Sequence, residues 1–241
     1  MSHDVDMNAL PTNITALPTQ HDHGIALWLI ALDAHTRRAL PVAELSLAEQ
    51  ARASRFHFER DARRYQASHA ALRLILGQVT GASPSTLQFC EGSHGKPYLK
   101  DTPGLHFNMS HSDDWALIGV SMLGPIGIDI EVMTPMDDTD LLAQKNFSAA
   151  EYAAFKKTPP DQRLASFLRC WTRKEACLKA LGSGLSIEPH EFEAGVDTGT
   201  RDTAIAVNDQ SCAMTVFCID LPIAALAAGA RLNDPHSPLA M

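Results

Sequence analysis

A mixed chain of helices and strands, built as two similar halves around a ligand cleft, is what this sequence predicts, and three observations carry the prediction. The first is an internal echo. Sliding Tyr65 onto Trp171, 106 positions on, also lays Ala70 on Ala176, Leu72 on Leu178 and Arg73 on Lys179, and each half then offers a strand, a short capped helix, a long helix and further strands. Self-similarity at a fixed spacing marks a structural repeat, and two such units meet at a cleft. The second is capacity: 241 residues, 45% of them hydrophobic, bury a core without covalent staples. The third is that the chemistry-bearing side chains collect in two short segments of the second half, residues 127–131 and 171–179.

The elements follow in order. Residues 1–23 hold Pro11, Pro18, Asn and Thr, and the run His21-Asp22-His23, without periodicity, so a disordered leader is expected and the histidines belong to a polar tail. Gly24 to Asp33 is short, apolar and bounded by polar residues, which predicts a buried strand. Ser46 with Glu49 three residues on is a capping box, so a first helix starts there. Arg60 to Gly77 has helical spacing through Tyr65, Leu72 and Leu76, with its stop expected at the glycine. Leu87 to Cys90, Leu105 to Met109, Trp115 to Met122 and, after Pro125, Ile126 to Val132 read as strands. Ser148 and Glu151 repeat the capping box. Gln162 to Leu181 is the long helix of the second half, ended by Gly182-Ser183-Gly184. Met214 to Ile219 is a strand, Ala224 to Ala230 is open between helix and strand, and the last ten residues are expected to fray.

Composition removes several classes of function. No run of 18 apolar residues exists and the N-terminus lacks a basic segment followed by an apolar core, so a membrane span and a signal peptide are not supported and a cytoplasmic location is expected. Asn13-Ile14-Thr15 is then a chance glycosylation pattern. Five cysteines without a CxxC pair argue against a disulfide framework and a zinc site. A net charge of −8 argues against nucleic acid as a partner. Residues 52–73 run against that balance, with Arg52, Arg55, Arg60, Arg63, Arg64 and Arg73 facing only Glu59 and Asp61. This stretch is either a solvated helix face or an anion site.

The two segments of the second half have a shared chemistry. In an extended strand Asp129 and Glu131, two apart, point to one face, while Gly127, Ile128 and Ile130 leave room or pack inward. In a helix Trp171, Glu175 and Lys179 recur at i, i+4 and i+8 and share one stripe. Alone, the first is an acidic pair on an edge strand and the second a surface Glu–Lys pair. Together they give three carboxylates and an ammonium without histidine or cysteine, a set that suits magnesium with a phosphate-bearing ligand.

Five runs in one order, Gly95-Lys96-Pro97-Tyr98-Leu99, Phe107-Asn108-Met109-Ser110-His111-Ser112, Gly127-Ile128-Asp129-Ile130-Glu131, Phe147 to Glu151 and Trp171 to Lys179, resemble those of the Sfp-type 4′-phosphopantetheinyl transferases over roughly residues 24–231. The resemblance implies an α+β chain of two pseudo-twofold related α/β subdomains, with coenzyme A and Mg2+ in the cleft between them. It implies a strand for Ala224 to Ala230, an N-terminal subdomain over 24–123, a C-terminal one over 124–231 and a tail over 232–241. The implied metal ligands are Asp129, Glu131 and Glu175. Lys179 matches the family's lysine that contacts the pyrophosphate, and Arg64, Lys96, Ser110 and His111 match positions that contact coenzyme A. Glu175 is the first candidate for general base and Glu151 the second, although its capping role also accounts for it. The family's lysines for the 3′-phosphate have no counterpart in Leu47-Ala48-Glu49-Gln50-Ala51-Arg52, where Arg52 or Arg55 is the expected substitute.

The implied activity moves the phosphopantetheine arm of coenzyme A to a serine of an apo acyl, peptidyl or aryl carrier protein and releases adenosine 3′,5′-bisphosphate. A chain that builds its cleft internally is expected to act as a monomer. Two other readings stay in view: a catalytically silent module that binds coenzyme A or a carrier protein, and a metal-dependent nucleotide hydrolase.

Overall fold

Two antiparallel four-stranded sheets, each covered by one long helix, meet edge to edge in the computed structural model, which describes residues 10–18, 24–33, 40, 42–92, 95–182, 187–207 and 210–234. The first half runs β1 (Ile14–Ala16), β2 (Ile25–Ala31), α1 (Leu47–Ala53), α2 (Glu59–Thr80), β3 (Phe89–Glu91), β4 (Pro97–Leu99), β5 (His106–Ser112) and β6 (Trp115–Ser121). The second half runs β7 (Ile126–Val132), α3 (Thr139–Asn146), α4 (Ala149–Lys156), α5 (Arg163–Leu181), β8 (Arg201–Val207), β9 (Gln210–Ile219) and β10 (Ala225–Leu232). The sheet orders are β1-β2-β6-β5 and β7-β10-β9-β8, with β3 and β4 forming a separate hairpin. In both halves the strand before the helices pairs with the last strand of the half, which pairs in turn with the strand before it, giving β2-β6-β5 and β7-β10-β9. The α+β architecture and the internal repeat are therefore present in the topology.

Each half packs its long helix on one sheet face. Ala70, Ala71, Ile75 and Leu76 of α2 pack with Ile30, Phe107 and Ile118; Ala176, Leu178 and Leu181 of α5 pack with Met214, Val216, Ala228 and Ala230. A third cluster joins the sheets, with Leu27, Leu29 and Leu117 against Ile126, Ile128, Ile130 and Phe217. The alternation of β7 is thus resolved: isoleucines enter the shared core, and residues 127, 129 and 131 face the other way. Both capping boxes form, with Ser46 and Ser148 each accepting from the backbone N–H of its glutamate and each glutamate accepting from the cap N–H, a device worth about 1 kcal/mol per helix.

Several expectations shift. The leader is not uniformly disordered, because Ile14–Ala16 pairs with Trp28–Ile30 as β1 and Asn13 is buried; a three-residue strand is too short to show periodicity. The His21-Asp22-His23 run, Ser183 and Gly184 lie outside the described residues. Helix α2 passes through Gly77 and ends at Gly81, which adopts a left-handed φ of 72°. A Cβ at Gly77 would meet Ala82 O and the Pro84 ring, so that glycine makes room for the returning chain rather than stopping the helix. β10 is a strand despite its alanines. It is central, paired on both sides, and its small residues let α5 approach. Leu232 closes it, and Asn233 donates to Ala213 O, so the tail is ordered at its start. β4, α3 and β8 have no counterpart among the expected elements. No helix among the described residues is long and apolar enough to cross a membrane.

Candidate active site

Close approach of β7 to α5 starts with Gly127, where any Cβ would collide with Ala176 O and Ala180 N of the helix backbone. That contact brings Asp129 and Glu131 of the strand beside Glu175 and Lys179 of the helix. Trp171, Glu175 and Lys179 are all half-buried, flanked by buried neighbours, as their shared stripe requires.

The strand is also held from its other side. β5 and β7 are edge strands of different sheets, and side chains replace the missing ladder. Asn108 Oδ1 accepts from Ile128 N–H at 2.8 Å, Ser110 Oγ donates to Asp129 Oδ1 at 2.8 Å, and Ser112 Oγ donates to Glu131 Oε2 at 2.8 Å and accepts from Val132 N–H at 3.1 Å. Residues 108, 110 and 112 alternate along β5, so one face carries the whole stitch. The metal-type carboxylates of one half are therefore aimed by hydroxyls of the other.

Lys179 Nζ donates to Asp129 Oδ1 at 2.6 Å and to Ser110 Oγ at 3.0 Å. Asp129 is 3% exposed, and its Oδ2 is buried with no hydrogen-bond partner. Burial raises the Asp129 carboxyl above the ordinary range, against the pull of Lys179. Burial likewise raises Glu175, with added repulsion from Asp129 and Glu131, and raises Glu131, whose Ser112 bond works the other way. Three carboxylates thus repel one another across a cleft in which Lys179 supplies positive charge. Among the described residues no three His, Cys, Asp or Glu side chains are close enough to enclose a metal ion. Beside Glu131 and Ser112 a cleft of about 310 Å³ continues over Val132, Met136, Leu142, Phe167 and Trp171.

Comparison with known proteins decides the family. A 4′-phosphopantetheinyl transferase superfamily model matches residues 125–227, and the N-terminal model of the 4′-phosphopantetheinyl transferases matches residues 35–122. The 4′-phosphopantetheinyl transferase HetI of Nostoc sp. is 40% identical over 180 residues, covering 73% of this chain and 74% of HetI. The chain belongs to the 4′-phosphopantetheinyl transferase superfamily. Psf-1 of Bacillus pumilus is 32% identical over 73% of this chain and 75% of its own length, and Sfp of Bacillus subtilis is 30% identical over 61% and 65%. The holo-[acyl-carrier-protein] synthase of Thermotoga maritima overlaps with a TM-score of 0.30 at 17% identity, over 45% of this chain and 62% of that one, too slight a likeness to argue from.

Within the phosphopantetheinyl transferase frame, the structure sorts the remaining candidates. His111 is exposed at the end of β5; partial desolvation and the cations of Lys179 and Arg64 lower its pKa, so its imidazole is neutral at pH 7. Arg64 on α2 reaches Asp114 Oδ1 at 2.9 Å, Asp113 at 3.7 Å and Asp61 at 3.9 Å. Arg52 of the expected 3′-phosphate region lies over the Tyr65 ring at 5.7 Å.

Two candidates stand differently from their expectation. Glu151 is not brought to the carboxylate cluster. Its Oε1 accepts from Ala194 and Gly195 N–H, its Oε2 accepts from Ser148 N–H and pairs with Lys174 Nζ at 2.7 Å, and both residues are buried. Burial alone would raise this carboxyl, but the Lys174 ammonium and the surrounding donors hold it below the ordinary range. Its acceptor positions are committed, which disqualifies it as a base in this arrangement. Lys96 does not offer its ammonium to the cleft; it donates to Ile126 O, Lys179 O and Ala180 O at 2.8, 2.7 and 3.0 Å. Beyond the Glu151 capping box, neither commitment is visible in sequence, since the other partners lie far along the chain.

Proposed function

We propose that this protein transfers the 4′-phosphopantetheine arm of coenzyme A to a serine hydroxyl of an apo carrier protein of the acyl, peptidyl or aryl type, releasing adenosine 3′,5′-bisphosphate. The observation that carries this reading is the cluster of Asp129, Glu131, Glu175 and Lys179, assembled from β7 and α5 and aimed by β5, in a chain of this family. The serine oxygen forms a bond to the β-phosphorus while the bond from that phosphorus to the bridging oxygen breaks. The serine proton goes to Glu175, the member of the cluster whose carboxylate takes part in no side-chain hydrogen bond among the described residues. The Lys179 ammonium, which reaches Asp129 and Ser110, would meet the negative charge that builds on the departing bisphosphate.

The donor set fits Mg2+: hard oxygen ligands, mutual repulsion, and a buried Asp129 Oδ2 without a partner. Asp129, Glu131 and Glu175 would hold it. Bound there, it supplies charge neutralisation for the pyrophosphate. The positive groups Lys179 and Arg64 flank His111 on the coenzyme A side, with Arg52 or Arg55 in place of the family's 3′-phosphate lysines. The apolar walls of the cleft, Met136, Leu142, Phe167 and Trp171, suit the pantetheine arm. We assign residues 24–123 and 124–231 as the two subdomains and place the enzyme in the cytoplasm as a monomer, consistent with its free cysteines and a cleft built within one chain.

Intact-mass measurement of apo acyl and apo peptidyl carrier proteins, incubated with this protein and coenzyme A with and without Mg2+, tests the reading. A phosphopantetheine mass gain that needs Mg2+ is expected. No gain on either carrier while coenzyme A still binds would contradict it in favour of a silent binding module.

A further inference from the structure

Lys96 enters from the connection between β3 and β4 of the first half, yet its three hydrogen bonds all go to backbone carbonyls of the second. Two of the acceptors, Lys179 O and Ala180 O, belong to the last turn of α5, where carbonyls have no partner within the helix. A third last-turn carbonyl, Leu178 O, accepts from the Gly182 N–H. The ammonium also sits at the negative end of the helix, where a cation is favoured. Its remaining acceptor, Ile126 O, is the first residue of β7. One side chain therefore grips the helix that carries Glu175 and Lys179 and the strand that carries Asp129 and Glu131, beside the point where Gly127 lets the two touch.

The fit is specific. Gly182 has φ 67°, and a Cβ built there would lie 3.0 Å from Lys96 Cδ, so the helix-ending glycine supplies both the left-handed turn and the channel for the lysine stem. Three N–H donors meet three acceptors, which leaves none for a phosphate. Burial lowers the Lys96 pKa to about 7, while the carbonyls and the helix end favour the charged form.

We infer that Lys96 is a positioning residue, a clamp between the halves that sets β7 against α5 and so fixes the carboxylates relative to Lys179, and not a ligand of coenzyme A through its ammonium. This rests on the proposed transfer for its kinetic part only.

Two measurements test it. In wild-type protein, reductive methylation followed by peptide mass spectrometry should find Lys96 protected to the same degree with and without coenzyme A, against exposed Lys100 as reference. Methylation of Lys96 at the rate of Lys100, blocked by coenzyme A, would overturn the inference, and this arm needs no catalysis. In Lys96→Met, which keeps an apolar stem and removes the donors, kcat should fall roughly 10- to 100-fold, as small misplacements of reacting groups do, while the KM for coenzyme A moves less than about 3-fold. Ile75→Val, a core change in the first half matched for a lowered Tm, should keep kcat. Loss of coenzyme A affinity with kcat retained in Lys96→Met, or an equal kcat loss in Ile75→Val, would contradict a positioning role. Should wild type load no carrier at all, the transfer reading fails while the methylation result still decides the clamp.

Discussion

The two long helices carry the same stripe in different chemistry. Tyr65, His69 and Arg73 of α2 stand where Trp171, Glu175 and Lys179 stand on α5, 106 positions later. In the first half the stripe is closed. His69 stacks on Tyr65 at 3.8 Å, burial lowers its pKa to about 4, and Arg73, 2% exposed, is tied to Glu49 at 2.8 Å and to Pro84 O and Leu87 O. In the second half it is open: the Glu175 side chain makes no hydrogen bond to any described residue, and Lys179 faces Asp129. The buried cations of α5, Lys174 and Arg173, lie off the stripe, with Lys174 on Glu151 and Arg173 on Ala194 O, Asp197 O and Gly199 O. A repeated scaffold has separated its duties, with the helix-to-cap ion pair kept in both halves and the chemistry left to one.

The sharpest break of this comparison is Glu175→Gln. Transfer should fall by at least ~100-fold, since a charge acting in the transition state is lost. Stability should rise at pH 7. A carboxyl whose folded pKa is raised costs stability once ionised, so the gain from glutamine is present at neutral pH, shrinks as pH falls through the raised pKa, and vanishes below the ordinary carboxylate range. Paired thermal melts at pH 7 and pH 4 check the sign.

Next come the two capping glutamates, which perform one task at different depths. Glu151→Ala leaves the fully buried Lys174 its bonds to Pro189 O and Phe192 O but removes the charge that compensates it, and should cost ~3–5 kcal/mol. Glu49→Ala leaves Arg73 its two carbonyls and should cost about 1–3 kcal/mol. Denaturant unfolding of both variants measures the gap, and equal losses would show that the halves are not differently closed. The smallest effect belongs to the stitch across the sheets. Ser112→Ala frees Glu131 and should raise the half-saturating Mg2+ concentration a few-fold while coenzyme A affinity holds.

Legibility followed the length of the interactions. β7 was readable to the residue because Ile126, Ile128 and Ile130 alternate with Gly127, Asp129 and Glu131, and both capping boxes span only three residues. The stripe of α5 obeys a local period. β1 and β4 are three residues each, β8 (Arg201–Val207) is an edge strand whose apolar alternation rests on Ile205 and Val207 alone, and α3 buries only Ala143, so none offers a strong pattern. The resemblance gives Ser110 with His111 as a ligand contact, and the alternation of Asn108, Ser110 and Ser112 is the available signal for a stitch. Lys96 finds its partners 30 to 84 positions away, and beyond its local cap Glu151 meets Lys174 at 23 positions (174 − 151) and Ala194 and Gly195 at 43 and 44. Only the fold brings those partners together.

The central claim is that Asp129, Glu131 and Glu175 act as one magnesium-dependent unit. It is tested most directly by titrating Mg2+ into carrier loading, read by intact mass, for wild type and Glu175→Gln at saturating coenzyme A. The account predicts saturable, Mg2+-dependent loading by wild type and none approaching that rate in the variant at any Mg2+ concentration. Loading by Glu175→Gln at the wild-type rate, or by wild type without divalent cation, would contradict it.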